Sequence, residues 1–371
     1  MSQKYRAAVI GDTQRGQFGH WLDLAFSRVP QVELVAIADP AADGLKQAVT
    51  RTGAARGYTD YRQMLKKEKP ELVSVSPRWC DHRLPMILAC VEAGVKGIYL
   101  EKPTAQTPAE ADRHLDACDR AGVRIAVDHW RAGGEVRLAK EMIERGDIGK
   151  LQIIRGHGKA DKRAGGVDTM LLGTHVLDAM RYLAGAEVAW AHGHVTQDGR
   201  EVTRADAVDG AESMGRTAGN AVTVEYAFTN GVRGSYESVP LVQSLPGGAN
   251  YLGCEIIGDK GILSLRYRSL HQYGRGLWMA GEEFGKWEKI PVPPWDGMQS
   301  ETYYLHCHEF SILELMRAIE ENRPVRACSN GHDGRAAIEM IMAAHESHLA
   351  GRRVTFPLKN RGNPYEQASD S

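Results

Sequence analysis

The 371-residue chain has only six cysteines, Cys80, Cys90, Cys118, Cys254, Cys307 and Cys328, and no two of them stand in a C-x-x-C spacing. A dense disulfide framework is thereby excluded, and reduced thiols in a cytoplasmic protein are the expectation. Long apolar runs are also missing. The opening Met1–Arg6 leads into Ala7–Ile10, too short for a signal segment or a membrane span, so neither secretion nor membrane association is expected. Nor is there an excess of charge of one sign. With 46 Lys+Arg against 47 Asp+Glu the formal charge is −1, which leaves no global field to collect nucleic acid or anionic lipid. What remains, 43% hydrophobic and 25% charged residues, is ordinary globular usage, and the length points to two domains.

The first 130 residues alternate short apolar runs with amphipathic segments. Arg6–Ile10, Glu33–Ala38, Leu72–Ser76, Gly97–Leu100 and Arg124–Val127 read as strands, and Leu84–Glu92 and Pro108–Arg120 as helices. The second helix opens with Thr107 as N-cap, Pro108 at the first position and Glu110 at the third. Such alternation predicts a doubly wound parallel sheet in an α/β protein.

After Arg131 the pattern changes. A helix at Glu135–Arg145, a strand at Leu151–Gly156, a Gly- and Lys-rich stretch to Gly166 and a helix to about Leu183 precede successive strands. These are Val188–Val195, Ala221–Phe228, Val232–Ser238, Tyr251–Ile257 and Ile262–Tyr267, with an Asn230-Gly231 hairpin turn among them. Helices return at Tyr303–Glu321 and Asp333–Ala350. The division expected is 1–130, a Rossmann-type domain; 131–358, an α/β domain with a large, mostly antiparallel open sheet; and 359–371, a polar disordered tail. Val292-Pro293-Pro294-Trp295 reads as an irregular connection, with a subunit contact as its candidate use.

The strongest local signal for a ligand is the junction after the first strand. Gly11-Asp12-Thr13-Gln14-Arg15-Gly16 leads into an amphipathic segment read as a helix, and a strand, glycine turn and helix N-terminus together cradle a pyrophosphate. Gly11 and Gly16 hold the outer positions of G-x-G-x-x-G, while Thr13 takes the middle one. Asp39 ends the second strand, where a carboxylate accepts bonds from an adenosine ribose and repels a 2′-phosphate, so NAD(H) is favoured over NADP(H). The fifth strand ends in Glu101-Lys102-Pro103, at the edge of the sheet where α/β folds place ligands. A lysine there can hold a substrate hydroxyl, although an isolated Glu-Lys pair is more commonly a surface ion pair.

Together with Tyr58-Thr59-Asp60-Tyr61, Ser76-Pro77 followed by His82, Ala93-Gly94, Arg131, Gly173-Thr174-His175-Val176-Leu177-Asp178 and Glu346-Ser347…Gly351…Pro357, these residues make the sequence resemble the Gfo/Idh/MocA family of oxidoreductases over nearly its whole length. The resemblance implies a Rossmann domain, an open sheet that serves homodimers or homotetramers, a dinucleotide cofactor and a sugar-like substrate. It implies Lys102, His175 and Asp178 as catalytic residues, and Gly11, Thr13, Gly16, Asp39, Ser76, Pro77, His82, Glu101 and Lys102 along the cofactor. His175 and Asp178 are three apart in an expected helix and so share a face, and a histidine is suited to take the proton of an alcohol as hydride leaves its carbon. His129, Arg131, Lys159, Asp168 and Thr174 are the candidate substrate contacts.

The sequence departs from the family's pattern at Leu171, where many relatives carry an acidic residue; Asp168 either replaces it or caps the helix. His306-Cys307-His308 resembles a metal cluster, but alternate helical residues do not share a face, so no metal is expected there. The activity expected is NAD(H)-dependent hydride transfer to or from a secondary alcohol of a sugar, cyclitol or glycoside. Two other readings stay open: a glycosidase that retains NAD and works by transient oxidation and elimination, and a non-catalytic ligand sensor on the same fold.

Overall fold

Short apolar segments separated by amphipathic ones need both faces covered, and a parallel sheet flanked by helices covers them. In the computed structural model, which describes residues 4–240, 251–274, 286–292 and 300–366, the first part of the chain folds this way. The strands β1 (Tyr5–Ile10), β2 (Val32–Ala38), β3 (Arg56–Tyr58), β4 (Leu72–Val75), β5 (Gly97–Leu100) and β6 (Arg124–Val127) form one sheet in the order β3-β2-β1-β4-β5-β6, all parallel. The helices are α1 (Ala42–Thr52), α2 (Tyr61–Glu68), α3 (Arg83–Glu92) and α4 (Pro108–Ala121). Val35, Val73, Ile87, Ile98, Leu100, Leu115 and Val127 are among the core residues. The α4 start is as predicted: Thr107 Oγ1 accepts from the Glu110 N–H at 3.3 Å, with Pro108 in the first turn.

The segment between β1 and β2 departs from expectation. Phe18, Leu22, Ala25, Phe26 and Val29 are buried at helical spacing, yet no helix forms; the backbone makes successive turns instead. Left-handed φ values at Gly16 (+92°), Gln17 (+59°), Gly19 (+60°) and Trp21 (+62°) interrupt a right-handed helix. Bonds of the tighter i→i+3 kind follow, such as Leu24 N–H to Trp21 C=O at 2.9 Å and Ser27 N–H to Leu24 C=O at 3.0 Å. The apolar stripe was legible, but it is satisfied by turns. β3, only three residues long, was not foreseen.

The remaining elements are α5 (Gly134–Arg145), β7 (Leu151–His157), α6 (Gly166–Leu171), α7 (Gly173–Ala184), β8 (Val188–Gln197), β9 (Arg200–Glu201), β10 (Val208–Asp209), β11 (Arg216–Thr217), β12 (Ala221–Phe228), β13 (Arg233–Ser238), β14 (Gly253–Gly258), β15 (Gly261–Arg266), β16 (Ser269–Gly274), β17 (Trp287–Ile290), α8 (Ser300–Glu320), α9 (Gly331–Ala350) and β18 (Val354–Thr355). A ten-stranded sheet runs β17-β16-β15-β14-β7-β13-β12-β8-β18 with β9 beside β8; β13 and β7 are parallel and the other pairs antiparallel. Gly231, at φ +88°, makes the predicted turn between β12 and β13. The single helix expected up to Leu183 is two, α6 and α7, broken at Leu172 (φ −122°, ψ −37°).

The chain divides into two compact units, Met1–Ala132 with Ala211–Met214 and Met298–Arg335, and Gly133–Gly210 with Gly215–Gly297 and Ala336–Ser371. The expected boundaries, 1–130 and 131–358, therefore need correcting, because α8 packs on β5 and β6 of the first unit. The expected tail also folds as far as the described residues reach. Tyr365 is buried with its hydroxyl 3.0 Å from His345 Nδ1, and Arg361 reaches Glu339 at 2.6 Å. Pro293, Pro294 and Trp295 lie outside the described residues.

Candidate active site

Parallel strands end on one edge of the sheet, and in the first unit the chemistry gathers there. β1 leads to the Gly11–His20 turn, β2 to Asp39, β4 to Ser76 and Pro77, β5 to Glu101 and Lys102, and β6 to Asp128 and His129.

Glu101 is completely buried, and its carboxylate accepts from three N–H groups: His20 N at 3.0 Å, His20 Nδ1 at 3.1 Å and Lys102 N at 3.0 Å. A Cβ on Gly19 would collide with this carboxylate, so glycine is required for the turn to come so close. Burial pushes the Glu101 carboxyl up, but the His20 ring, Lys102 and Arg83 outweigh it and hold it well below the usual carboxylate range. Lys102 is 4% exposed. Burial pushes its ammonium down and Glu101 pushes it back up, with a net lowering.

Three further residues hold this corner, and of these the sequence reading names only His308, in the His306-Cys307-His308 run. Arg83 is 1% exposed, and its guanidinium donates to the carbonyls of Pro77 (2.8 Å), Arg78 (2.9 Å) and Lys102 (3.3 Å), tying the ends of β4 and β5. The Tyr99 hydroxyl lies 2.9 Å from Asp128 Oδ1 and 2.8 Å from His308 Nδ1. His308 Nε2 donates to the His20 carbonyl at 2.8 Å. His306, two residues earlier on α8, instead faces Glu309 at 3.5 Å and is partly exposed, as the helical geometry requires. Ligand-type atoms of His20, Glu101 and Asp128 lie within 4.8 Å of one another, and the donors just described already engage all three residues.

The expected cofactor residues divide. Gly16 needs to be glycine on two counts: φ is +92°, and a Cβ would sit 2.7 Å from Arg78 N. Ser76 is buried, its hydroxyl 3.0 Å from Ser74 Oγ, whereas the His82 side chain is 55% exposed at the start of α3. Asp39 is fully buried, with Oδ2 accepting from Thr13 N (3.0 Å) and Oδ1 from Thr13 Oγ1 (3.1 Å) and Ala41 N (2.9 Å). The position is right for a ribose-binding acid, and Thr13 holds it. The helix N-terminus expected over the pyrophosphate is absent, because residues 11–31 form turns. The strand order, the glycine turn and the terminal acid of β2 fit a dinucleotide; Gly11, Thr13, Gly16, Asp39 and Ser76 are placed where they could hold it.

His129 and Arg131 are packed into protein. The His129 ring meets Ser329 Oγ at 2.9 Å, and Arg131 bonds Asp333 at 2.8 Å and the Arg326 carbonyl at 2.9 Å.

In the second unit, α7 carries His175, half-buried, and the buried Thr174 and Asp178, and the i, i+3 spacing puts His175 and Asp178 on one side of the helix. Asp168 on α6 is fully buried, accepting from Ser238 Oγ at 2.6 Å and Lys159 N at 2.9 Å. Burial raises its carboxyl, with these two donors acting against the rise. It bonds distant backbone and β13, and so is not a helix cap. Lys159 is 40% exposed, with Nζ 3.7 Å from Asp161.

Comparison with known proteins places this geometry. Residues 5–129 match the model of an oxidoreductase family with an NAD-binding Rossmann fold, and residues 136–264 match the GFO/IDH/MocA C-terminal domain. The chain is 25% identical over 342 residues to levoglucosan dehydrogenase of Pseudarthrobacter phenanthrenivorans, covering 76% of this chain and 80% of that one. It is 24% identical over 370 residues to D-apiose dehydrogenase of Paraburkholderia graminis, covering 95% and 90%. A solved structure of levoglucosan dehydrogenase in complex with NADH and levoglucosan superposes with a TM-score of 0.72 at 22% identity, covering 96% of this chain and all of the other. The chain is thus a member of the Gfo/Idh/MocA family, an oxidoreductase with an NAD-binding Rossmann domain.

Proposed function

We propose that this enzyme moves a hydride between NAD(H) and a secondary alcohol of a sugar, cyclitol or glycoside, with Lys102 orienting and polarising the reacting oxygen and His175 exchanging its proton. The observation that carries the reading is the buried Glu101–Lys102 pair at the end of β5. Its ammonium is kept from water at the end of a parallel strand, within electrostatic reach of the Glu101 carboxylate, and a buried positive charge in that place can polarise a reacting oxygen. Bound NAD supplies the hydride acceptor or donor. In the oxidising direction the carbon gives up hydride and the hydroxyl gives up its proton, which His175 takes. Asp178, on the same side of α7, orients the imidazole. Asp39 accepts from the adenosine ribose, with Thr13, whose hydroxyl donates to Oδ1, holding the carboxylate in place. The names of the relatives, levoglucosan and D-apiose dehydrogenases, support a carbohydrate substrate.

The same proposal includes a cytoplasmic homodimer or homotetramer. Its supports are six buried cysteines that form no disulfide and the polar residues Arg155, His192, Glu225 and Glu237 along one face of the ten-stranded sheet, which line a cavity of about 540 Å³.

Lys102→Met tests the chemistry. NAD binding, followed by cofactor fluorescence, should survive while turnover on a panel of sugars, cyclitols and glycosides falls at least about a hundredfold. Preserved turnover per folded molecule would make Lys102 a structural residue and remove the assignment.

A further inference from the structure

A count of protons around Tyr99 leads beyond this reading. Four groups form a continuous chain of short contacts: Asp128 Oδ1 to Tyr99 Oη at 2.9 Å, Tyr99 Oη to His308 Nδ1 at 2.8 Å, and His308 Nε2 to the His20 carbonyl at 2.8 Å. Tyr99 and His308 are fully buried, and Asp128 is 6% exposed, so water does not complete the set for the two central groups. A carbonyl oxygen only accepts, so the proton in the last contact belongs to Nε2. An ionised Asp128 only accepts, so the proton in the first contact belongs to the tyrosine. The middle contact then joins a hydroxyl oxygen whose one proton is spent to a ring nitrogen, and it is a hydrogen bond only if Nδ1 carries a proton as well. With both ring nitrogens protonated, every contact has one donor and one acceptor.

The alternative is to place the extra proton on Asp128, and the surrounding charges oppose it. The carboxylate is within the electrostatic reach of the Lys102 ammonium, a positive charge that a neutral acid would leave without this partner. Glu101 and Asp128 are two carboxylates in the corner where Lys102, Arg83 and the His20 ring are the cationic or proton-bearing groups.

We propose that His308 is a buried imidazolium and the positioning residue of the Glu101–Lys102 pair. It binds the His20 carbonyl through Nε2–H and the Tyr99 hydroxyl through Nδ1–H. His20 in turn gives Glu101 two of its three N–H bonds, one from the backbone and one from the ring. The arrangement ties α8 to the turn after β1 and to the ends of β5 and β6, all within the first unit. Its catalytic consequence rests on the role given above to Lys102; its protonation state does not.

The test is a long-range proton–nitrogen correlation spectrum of the full-length protein labelled with ¹⁵N-histidine, recorded near pH 8, where a free imidazole with a pKa of about 6.5 is largely neutral. A histidine with both nitrogens protonated is expected. His20, whose Nδ1 donates to Glu101, and His157, whose nitrogens face Glu237 and Glu255, are also capable of giving that signature, so the variants are compared in a His20→Asn background, where His157→Gln separates the remaining two. Persistence of a doubly protonated ring in His157→Gln, and its loss in Tyr99→Phe, support the assignment. Absence of any such ring in the wild type, its disappearance in His157→Gln, or its persistence in both variants overturns it. Tyr99→Phe should also lower kcat/KM about tenfold to a hundredfold with the NAD dissociation constant within about twofold of wild type. Unchanged kcat/KM in that variant would refute the positioning role. If Lys102→Met keeps its turnover while the imidazolium is present, the proposed function fails and the protonation assignment stands.

Discussion

Glu101→Gln is the substitution whose consequences the structure specifies most fully. The carboxylate is 0% exposed and surrounded by donors, with Lys102 N on Oε1, His20 N on Oε2 and His20 Nδ1 near both. A glutamine keeps the shape, but whichever way its amide is turned, the NH2 end faces an N–H and a hydrogen bond becomes a clash of donors. The substitution also removes the principal counter-charge of the buried Lys102. Breaking a buried pair by removing one partner costs about 3 to 5 kcal/mol, a large share of the roughly 5 to 15 kcal/mol that holds a domain folded.

The sign of the pH dependence follows from the lowered Glu101 carboxyl. A carboxylate held below its unfolded value stabilises the fold above that value, near 4.5, and loses the contribution as pH falls further. The stability gap between wild type and Glu101→Gln, read from denaturant midpoints, should therefore be constant from pH 8 to about 5 and narrow below about 4.5. Losing Glu101 also lowers the Lys102 ammonium further, so any limb of the pH–rate profile that requires protonated Lys102 should move to lower pH. A gap under about 1 kcal/mol, or one that does not change with acidification, would refute the account of this corner.

Three further outcomes are expected. His175→Asn should bind NAD normally, turn over at least about a hundredfold more slowly, and lose the pH dependence of its rate near pH 6 to 7; an unchanged profile would return the acid-base role to Lys102. Asp39→Ser should weaken NAD binding about tenfold to a hundredfold and relax discrimination against NADP, measured as the ratio of the two dissociation constants. His114 and His345 are both buried and held by burial at about 4. Because they stay neutral in the fold while the unfolded chain protonates near 6.5, each should withdraw on the order of 3 kcal/mol of stability between about pH 6.5 and pH 4, and His114→Leu should flatten that acid slope.

What was legible in the sequence was local in origin. The apolar runs at Gly97–Leu100 and Arg124–Val127 gave two strand boundaries to the residue, and Thr107-Pro108 gave the start of α4. Asp39 and Lys102 stand at strand ends because strand length alone puts them there. The Phe18 to Val29 stripe misled because burial at helical spacing does not require helical backbone once left-handed residues intervene. The corner around Glu101 was largely illegible because its partners are remote in the chain. His308 stands 209 residues from Tyr99, and no local pattern announces which histidine of α8 faces inward. The same holds for α8 as a whole, which lies late in the sequence yet packs on β5 and β6.

The central claim, hydride transfer between a carbohydrate carbon and the nicotinamide, is tested most directly by isotope tracing. The full-length protein would be incubated with NAD and a panel of sugars, cyclitols and glycosides deuterated at their secondary carbinol positions, and the nicotinamide analysed by mass spectrometry. The account predicts that with at least one compound the deuterium appears on the reduced cofactor, and that Lys102→Met lowers the transfer at least about a hundredfold while NAD remains bound. NAD bound with no deuterium on the nicotinamide from any member of the panel, or transfer that proceeds equally well in Lys102→Met, would contradict it.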